Sequence, residues 1–217
     1  MPLQNRVNPF GEIFATDARG TFMGNRGRLH DDSRQIVRSS ERKQWIICQL
    51  EWKQIRRQIM SPQSYTELFF LDEATALSAG HRPCGDCRVA ALHAFQSAWA
   101  LGMEGAPAGR TPVSRIDPIL KRDRALVDGQ RPTVRTALRE LPDGAFIVRS
   151  GLPLLKWQGR LHRWSPAGYT GSEIINTDAY ADVITPHCTV QVLRAGYVPV
   201  VHHSVNQAPP APSSTTG

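Results

Sequence analysis

Long apolar runs and a disulfide pattern are both missing from this chain of 217 residues. No stretch of eighteen or more apolar residues occurs, so we expect no membrane-spanning helix. The start, from Met1 to Arg6, lacks the apolar core of a secretory signal. Only four cysteines are present, and their spacing does not suggest a disulfide framework. Together these absences predict a cytoplasmic protein that keeps its thiols reduced.

Two common hydrolase motifs are also absent. The sequence contains neither Gly-x-Ser-x-Gly nor His-Glu-x-x-His, so it lacks the usual serine-nucleophile and metalloprotease signatures. Apolar residues nevertheless make up 41% of the chain, which is far above the range of disordered proteins. The length allows one sizeable core or two small ones.

Positive charge is in excess. Lysine and arginine number 26 against 19 acidic residues, giving a formal net charge of +7. Such a balance is consistent with a polyanionic partner, most often DNA or RNA, or with a charged surface that only maintains solubility. Basic residues cluster between Arg34 and Arg57. We expect nucleic acid to be contacted by a set of side chains near the cysteines, namely Arg42, Lys43, Arg56, Arg57, Arg82 and Arg88.

Local patterns predict an α+β fold. Short runs broken by glycine indicate β structure over residues 5–40, and two further strands are expected at 44–52 and 65–71. A short helix should begin after Asp72, an N-cap residue, and end at Gly80. Apolar residues at helical spacing predict a second helix over 88–101. Residues 102–109 have the composition of a linker.

The C-terminal half has a mostly β character. A helix is expected over 114–123, followed by strands at 145–149, 152–157, 160–164, 181–184 and 189–193. The Gln158-Gly159 step predicts a hairpin. We therefore divide the chain into an N-terminal module at 1–101 that carries three of the four cysteines, a β-rich portion at 110–203 and a disordered tail at 204–217. Whether the first two share a core stays open.

Cys84 and Cys87 form the most informative motif. Two thiolates on a Cys-x-x-Cys turn are a common way to hold a tetrahedral metal, usually zinc. Cys48, on the preceding strand, is the expected third ligand. We name His81 as the fourth, with His93, Cys188 and His30 left open. The alternatives are a redox pair, two unpaired surface thiols, and a Cys48 that is only a small buried side chain.

The segment from Ala74 to Cys87 resembles the second half of the zinc domain at the N-terminus of the Ada methylated-DNA repair proteins. The paired aromatics Phe69-Phe70, Ala79-Gly80 and Arg82-Pro83-Cys84 follow that pattern in order. The likeness covers only residues 65–90. The layout of the whole chain also resembles a wider bacterial family, which supplies no activity to carry over.

The Ada resemblance implies zinc binding, DNA contact and a role in DNA repair or modification. Ada-type domains also carry an earlier cysteine pair, one member of which accepts a methyl group from a DNA phosphotriester. Here only Cys48 lies in the corresponding region. If Cys48 corresponds to one member of that pair, the resemblance implies a site with three cysteines, completed by histidine or left open, and such a site would allow Cys48 to accept a methyl group.

Three functional classes remain open from the sequence. The first is a zinc-containing protein that binds DNA. The second is a metal-dependent enzyme, catalysing hydrolysis or alkyl transfer at a zinc with an open position. The third is a structural or protein-interaction module. Residues 157–169 gather aromatic and basic side chains that could stack on bases, although strand aromatics more often pack into a core.

Overall fold

The computed structural model describes residues 1–53 and 58–207. Within these residues the chain forms two six-stranded sheets and four α-helices, which confirms the α+β class. No helix in the described ranges is long and apolar enough to cross a membrane.

The N-terminal sheet carries the cysteines. Its strands are β1 (Gln4–Val7), β2 (Ile13–Ala15), β3 (Phe22–Asn25), β4 (Ile46–Cys48), β5 (Leu68–Phe70) and β6 (Arg82–Pro83). They are ordered β2-β1-β5-β3-β4-β6. Strands β4 and β5 fall inside the predicted ranges 44–52 and 65–71, and both are shorter than predicted because only three residues of each pair with neighbours. The pairing of β4 with β6 is parallel.

Two helices follow β5, each where the sequence indicates. They are α1 (Glu73–Ser78) and α2 (Val89–Glu104). Asp72 caps α1, since its carboxylate accepts the amide of Thr75 at 2.8 Å. Gly80 has a φ of +88°, the left-handed conformation expected just after a helix end. Helix α2 runs three residues beyond its predicted end and into the predicted linker, stopping before the left-handed Gly105.

The second sheet is built from hairpins. The remaining elements are α3 (Val113–Asp123), β7 (Val134–Ala137), β8 (Phe146–Arg149), β9 (Leu152–Trp157), β10 (Arg160–Ser165), β11 (Gly168–Ile174), β12 (Tyr180–Val183) and α4 (His187–Arg194). The sheet order is β11-β10-β9-β8-β12-β7. Gln158 and Gly159 have φ values of +48° and +72°, as a two-residue turn with positive φ at both positions requires. The predicted hairpin is confirmed.

The predicted strand at 189–193 is wrong, because these residues lie in helix α4. The β-branched Thr189, Val190 and Val192 favour a strand locally. Tertiary packing overrides that preference: Cys188 and Val192, four residues apart, both enter the main core, whereas Val190 enters the core of the second sheet. Because side chains leave a helix in several directions, one short helix can contribute residues to both cores.

The largest hydrophobic cluster joins both halves of the chain. It contains Phe95 and Trp99 of α2, Ile116 and Leu120 of α3, and Val192 of α4. At the other end, residues 204–207 of the predicted disordered tail are described, and Val205 is buried in a 3-10 helix at His203–Asn206. The rest of that predicted tail, 208–217, lies outside the described residues.

Candidate metal centre

The pairing of β4 with β6 brings the three predicted cysteines together. Ile47 pairs with Pro83, and the amide of Cys84 donates to the carbonyl of Ile47 at 2.9 Å. Cys48 ends β4 and Cys84 directly follows β6, so the two side chains leave the sheet side by side. The Cys-x-x-Cys turn then returns Cys87 to the same place. Parallel pairing between residues that are 36 positions apart in sequence therefore assembles the site.

The sulfur atoms of Cys48, Cys84 and Cys87 all lie within 4.8 Å of one another. All three residues are buried and none forms a disulfide. Backbone amides point at two of the sulfurs: Asp86 N–H donates to Cys84 Sγ and Gln49 N–H donates to Cys87 Sγ, each at 3.4 Å. Such donors stabilise negative charge on sulfur, which a metal-binding thiolate carries.

The three thiols are hydrogen-bonded to one another, and these bonds move their pKa values apart. A hydrogen bond from Cys48, helped by the amides of Cys87 and Asp86, lowers the pKa of Cys84 to about 5. The same bond to Cys84, together with burial, raises the pKa of Cys48 well above its usual value. Burial also raises the pKa of Cys87. Without metal the cluster therefore favours one thiolate, and a metal ion would have to displace the other protons.

His81, the predicted fourth ligand, lies elsewhere. Its Nε2 accepts a hydrogen bond from Arg26 Nε at 3.2 Å, and its Nδ1 lies 3.2 Å from the carbonyl oxygen of Ala76. The ring packs between Trp45 and Phe70. Both nitrogens are thus engaged inside the core, and His81 is not part of the thiol cluster.

The other candidate ligands are also apart from the thiols. His30 is buried against Thr66 and Ser61, His93 is exposed on α2, and Cys188 is buried with its amide bonded to Asp123. Among the described residues, no further histidine, cysteine or carboxylate joins the group of three. Residues 54–57 and 208–217, which lie outside the description, contain none of these residue types.

A surface cavity of about 1050 Å³ adjoins the three cysteines. Its wall includes one face of the N-terminal sheet, because strand register places alternate side chains of β3, β4 and β5 on the same side. The described residues lining it on that face, besides the cysteines, are Met23, Asn25, Ile46, Glu67 and Phe69. The three cysteines therefore face a space large enough for a small molecule.

Glu67 is the residue of this cavity that sequence patterns do not reveal. It is 2% exposed, and its Oε2 accepts the amide of Met60 at 2.8 Å. Among the described residues, its Oε1 has no hydrogen-bond partner although it is buried. The signal in the sequence is weak: Glu67 lies two residues before Phe69, and only the observed register shows which face they share.

The predicted nucleic-acid contacts divide into three groups. Arg82 and Arg88 are buried, and they pair with Asp117 at 2.7 Å and with Glu73 at 2.7 Å. Arg42 and Lys43 are exposed in the loop before β4. Arg56 and Arg57 lie outside the described residues. Of the described candidates, only Arg42 and Lys43 present their charge to solvent.

The aromatic segment 157–169 belongs to a core. Trp157 and Trp164 pack against a cluster that contains Phe146 and the buried Tyr169. Trp164 Nε1 also donates to Thr75 Oγ1 at 3.1 Å. The packing interpretation of these aromatics is therefore the one that the structure supports.

Comparison of the chain with protein-family models, with curated proteins and with solved structures gives no match.

Proposed function

We propose that this protein binds one zinc ion through Cys48, Cys84 and Cys87, and that the fourth coordination position is taken by a molecule from the adjoining cavity. The observation that carries this proposal is the cluster of three buried, unoxidised thiols in the cavity wall. Zinc sites with three protein ligands and one exchangeable position are typical of catalysis, whereas four protein ligands are typical of structural sites.

The donor set supports zinc over harder cations. Thiolates prefer soft or borderline metals, and zinc is the one that most often occupies tetrahedral cysteine sites. Magnesium and calcium prefer oxygen ligands. Backbone amides on two sulfurs hold the thiolates in position, which is a recurrent feature of ordered metal ligands.

The centre would have two consequences. It would fasten β4 to the turn after β6, which stabilises a sheet whose strands are only two to four residues long. A zinc ion bound there would supply a Lewis acid and thiolate nucleophiles, the chemistry of hydrolysis or alkyl transfer. A metal-dependent enzyme is accordingly the function class that this geometry supports best.

Metal analysis of purified protein tests the proposal. Wild type prepared without chelator should contain about one zinc per chain, and Cys48→Ser, Cys84→Ser and Cys87→Ser should each lose most of it. Cys188→Ser is the matched control, because Cys188 is also buried but lies outside the cluster. It should keep its zinc. A metal-free wild type would refute the proposal.

We propose DNA binding as a second function, on the observation that the loop before β4 exposes Arg38, Arg42 and Lys43 with only Glu41 as a nearby acid. The likeness of residues 65–90 to Ada-type domains supports the same partner and suggests repair or modification of DNA. Arg82 and Arg88 are left out of the interface because their charges are buried in ion pairs.

Salt dependence of duplex binding tests this second proposal. The logarithm of the affinity should fall steeply with the logarithm of salt concentration, and Arg42→Gln with Lys43→Gln should reduce the slope by about 2. Arg163→Gln, an exposed arginine of β10, is the control and should leave the slope unchanged. Affinity that is absent, or equal at low and high salt, would contradict DNA binding.

A further inference from the structure

We infer that the cavity beside the cysteines binds a small molecule with two recognition groups: an atom that ligates the metal, and a protonated amine that pairs with Glu67. This inference rests on the proposed zinc centre and specifies its ligand. Glu67 and the three cysteines line the same cavity. Among the described residues, no group donates a hydrogen bond to Glu67 Oε1.

An unpaired buried carboxylate oxygen is costly. Burying a polar group without a hydrogen bond costs about 1–3 kcal/mol, and a charged group costs more. Such groups are rare in native proteins and often mark a functional position. Glu67 is held firmly by the Met60 amide on its other oxygen. Oε1 is therefore a fixed acceptor without a partner among the described residues, and it belongs to a side chain that lines the cavity.

Strand register fixes the relation between Glu67 and the thiols. Met23 of β3 pairs with Cys48 on one side and with Phe69 on the other. Glu67 lies two residues before Phe69, so it shares the face that carries Cys48. Two strand spacings and two residue steps separate the Cα atoms of Glu67 and Cys48 by roughly 12 Å. A small molecule of about that length can bridge the two side chains.

The negative charge around the cavity favours a ligand whose hydrogen-bond donor is cationic. Three thiolates around Zn²⁺ leave a net charge of −1, and Glu67 adds a carboxylate. The other charged residues that line the cavity, Arg19, Glu51, Lys53 and Asp86, are all exposed. Water screens these four, whereas the thiols and Glu67 are buried and act through a lower dielectric. An ammonium group suits this environment better than an anion or a neutral group.

Aminothiols of increasing length are suitable probes. Cobalt(II) can replace zinc, and a thiol that binds it loses its proton to the buffer, displaces the solvent ligand and changes the sulfur-to-cobalt absorption. We would titrate ω-aminoalkanethiols of two to six carbons, each beside the hydroxyalkanethiol of equal length. At one chain length the aminothiol should bind about tenfold more tightly, because its ammonium group forms an ion pair with the Glu67 carboxylate, whereas a hydroxyl group offers only a neutral donor.

Two variants make the result specific. Glu67→Gln should abolish the amine preference, and the glutamine oxygen can still accept the Met60 amide, so the local fold is kept. Glu51→Gln, at an exposed carboxylate of the same cavity, should keep the preference. An amine preference that is absent at every length, or that survives Glu67→Gln, would overturn the inference. Protein that forms no cobalt–thiolate band, or admits no thiol, would instead refute the proposed zinc centre.

Discussion

The amide of Cys84 donates to the carbonyl of Ile47 at 2.9 Å. This hydrogen bond fixes the position of the Cys-x-x-Cys turn relative to the end of β4. Cys48 follows Ile47 directly, so the same contact sets the separation of two thiols. The geometry of the candidate metal centre is therefore a consequence of parallel strand pairing, and changes that disturb β4 should disturb metal binding.

Gly24 tests that dependence. A Cβ at Gly24 would lie 2.1 Å from the carbonyl oxygen of Ile46, across the β3–β4 pair. We expect Gly24→Ala to push β4 away, to destabilise the protein by about 3 kcal/mol and to weaken zinc binding. Chemical denaturation and a competitive chelator assay would measure the two effects.

Gly85 is the control for this prediction. It lies inside the Cys-x-x-Cys turn, yet an added Cβ would meet only Leu92 Cδ2, at an ordinary 3.5 Å. Gly85→Ala should change stability by no more than about 0.5 kcal/mol. If Gly24→Ala were equally well tolerated, zinc binding would not depend on β4 as we describe.

Much of this fold can be predicted from local sequence. The Asp72 cap, the Gly80 helix end, α2 and the β9–β10 hairpin each depend on residues within a few positions of one another. The association of Cys48 with Cys84 and Cys87 could also be anticipated from donor chemistry. The first four features depend on residues that are close in sequence. The cysteine cluster depends on a chemical requirement, metal binding by thiolates, that few residue types can meet.

Other features depend on long-range contacts that the sequence does not display. His81 is three residues from Cys84, but its ring turns into the core because Arg26, 55 residues away, bonds it. Arg82 is basic and lies two residues before Cys84, but its charge is buried in an ion pair with Asp117. Glu67 becomes significant only when register places it in the cavity. Proximity in sequence was a poor guide to the neighbours of all three.

Arg82 should affect stability through its buried ion pair. Its guanidinium meets both carboxylate oxygens of Asp117, at 2.7 and 2.9 Å, with each side chain 6% exposed. Arg82→Ala would leave Asp117 buried and unpaired, so we expect a loss of about 3–5 kcal/mol in the free energy of unfolding.

The exposed ion pair of Arg139 and Asp178 is the control for the buried pair of Arg82 and Asp117. These side chains are 54% and 86% exposed, and Arg139→Ala should cost less than about 1 kcal/mol. Equal effects of the two substitutions in urea unfolding would show that the Arg82 pair is not buried as described.

His81 should make stability fall in acid. Burial, with help from Arg26, holds the pKa of His81 well below its ordinary 6.5. The unfolded chain therefore takes up a proton first, and stability is lost as pH drops below about 6.5 toward the folded pKa. The slope contributed by this one proton approaches about 1.4 kcal/mol per pH unit.

Substitution isolates this contribution. His81→Gln should flatten the dependence of unfolding free energy on pH between 6.5 and 5, whereas His93→Gln, at an exposed site, should leave it unchanged. A wild-type curve with the same slope as His81→Gln would argue that His81 is accessible to protons in the fold.

Asp72 joins α1 to the second sheet. Its carboxylate accepts from Thr75 N–H at 2.8 Å, from Tyr169 O–H at 2.7 Å and from His202 N–H at 3.0 Å. Asp72→Ala removes a helix cap and leaves the buried Tyr169 hydroxyl without this partner, for an expected cost of about 3 kcal/mol. Thermal unfolding should show a large decrease in Tm, whereas Asp32→Ala, in an exposed pair with Arg28, should shift it little.

Zinc K-edge X-ray absorption of the purified protein tests the central claim most directly. We predict three sulfur ligands at about 2.3 Å and one oxygen or nitrogen ligand at about 2.0 Å, with the light ligand replaced by a fourth sulfur when an added thiol binds. A shell of four sulfurs before any thiol is added, or one with fewer than three, would contradict a three-cysteine centre with an exchangeable position.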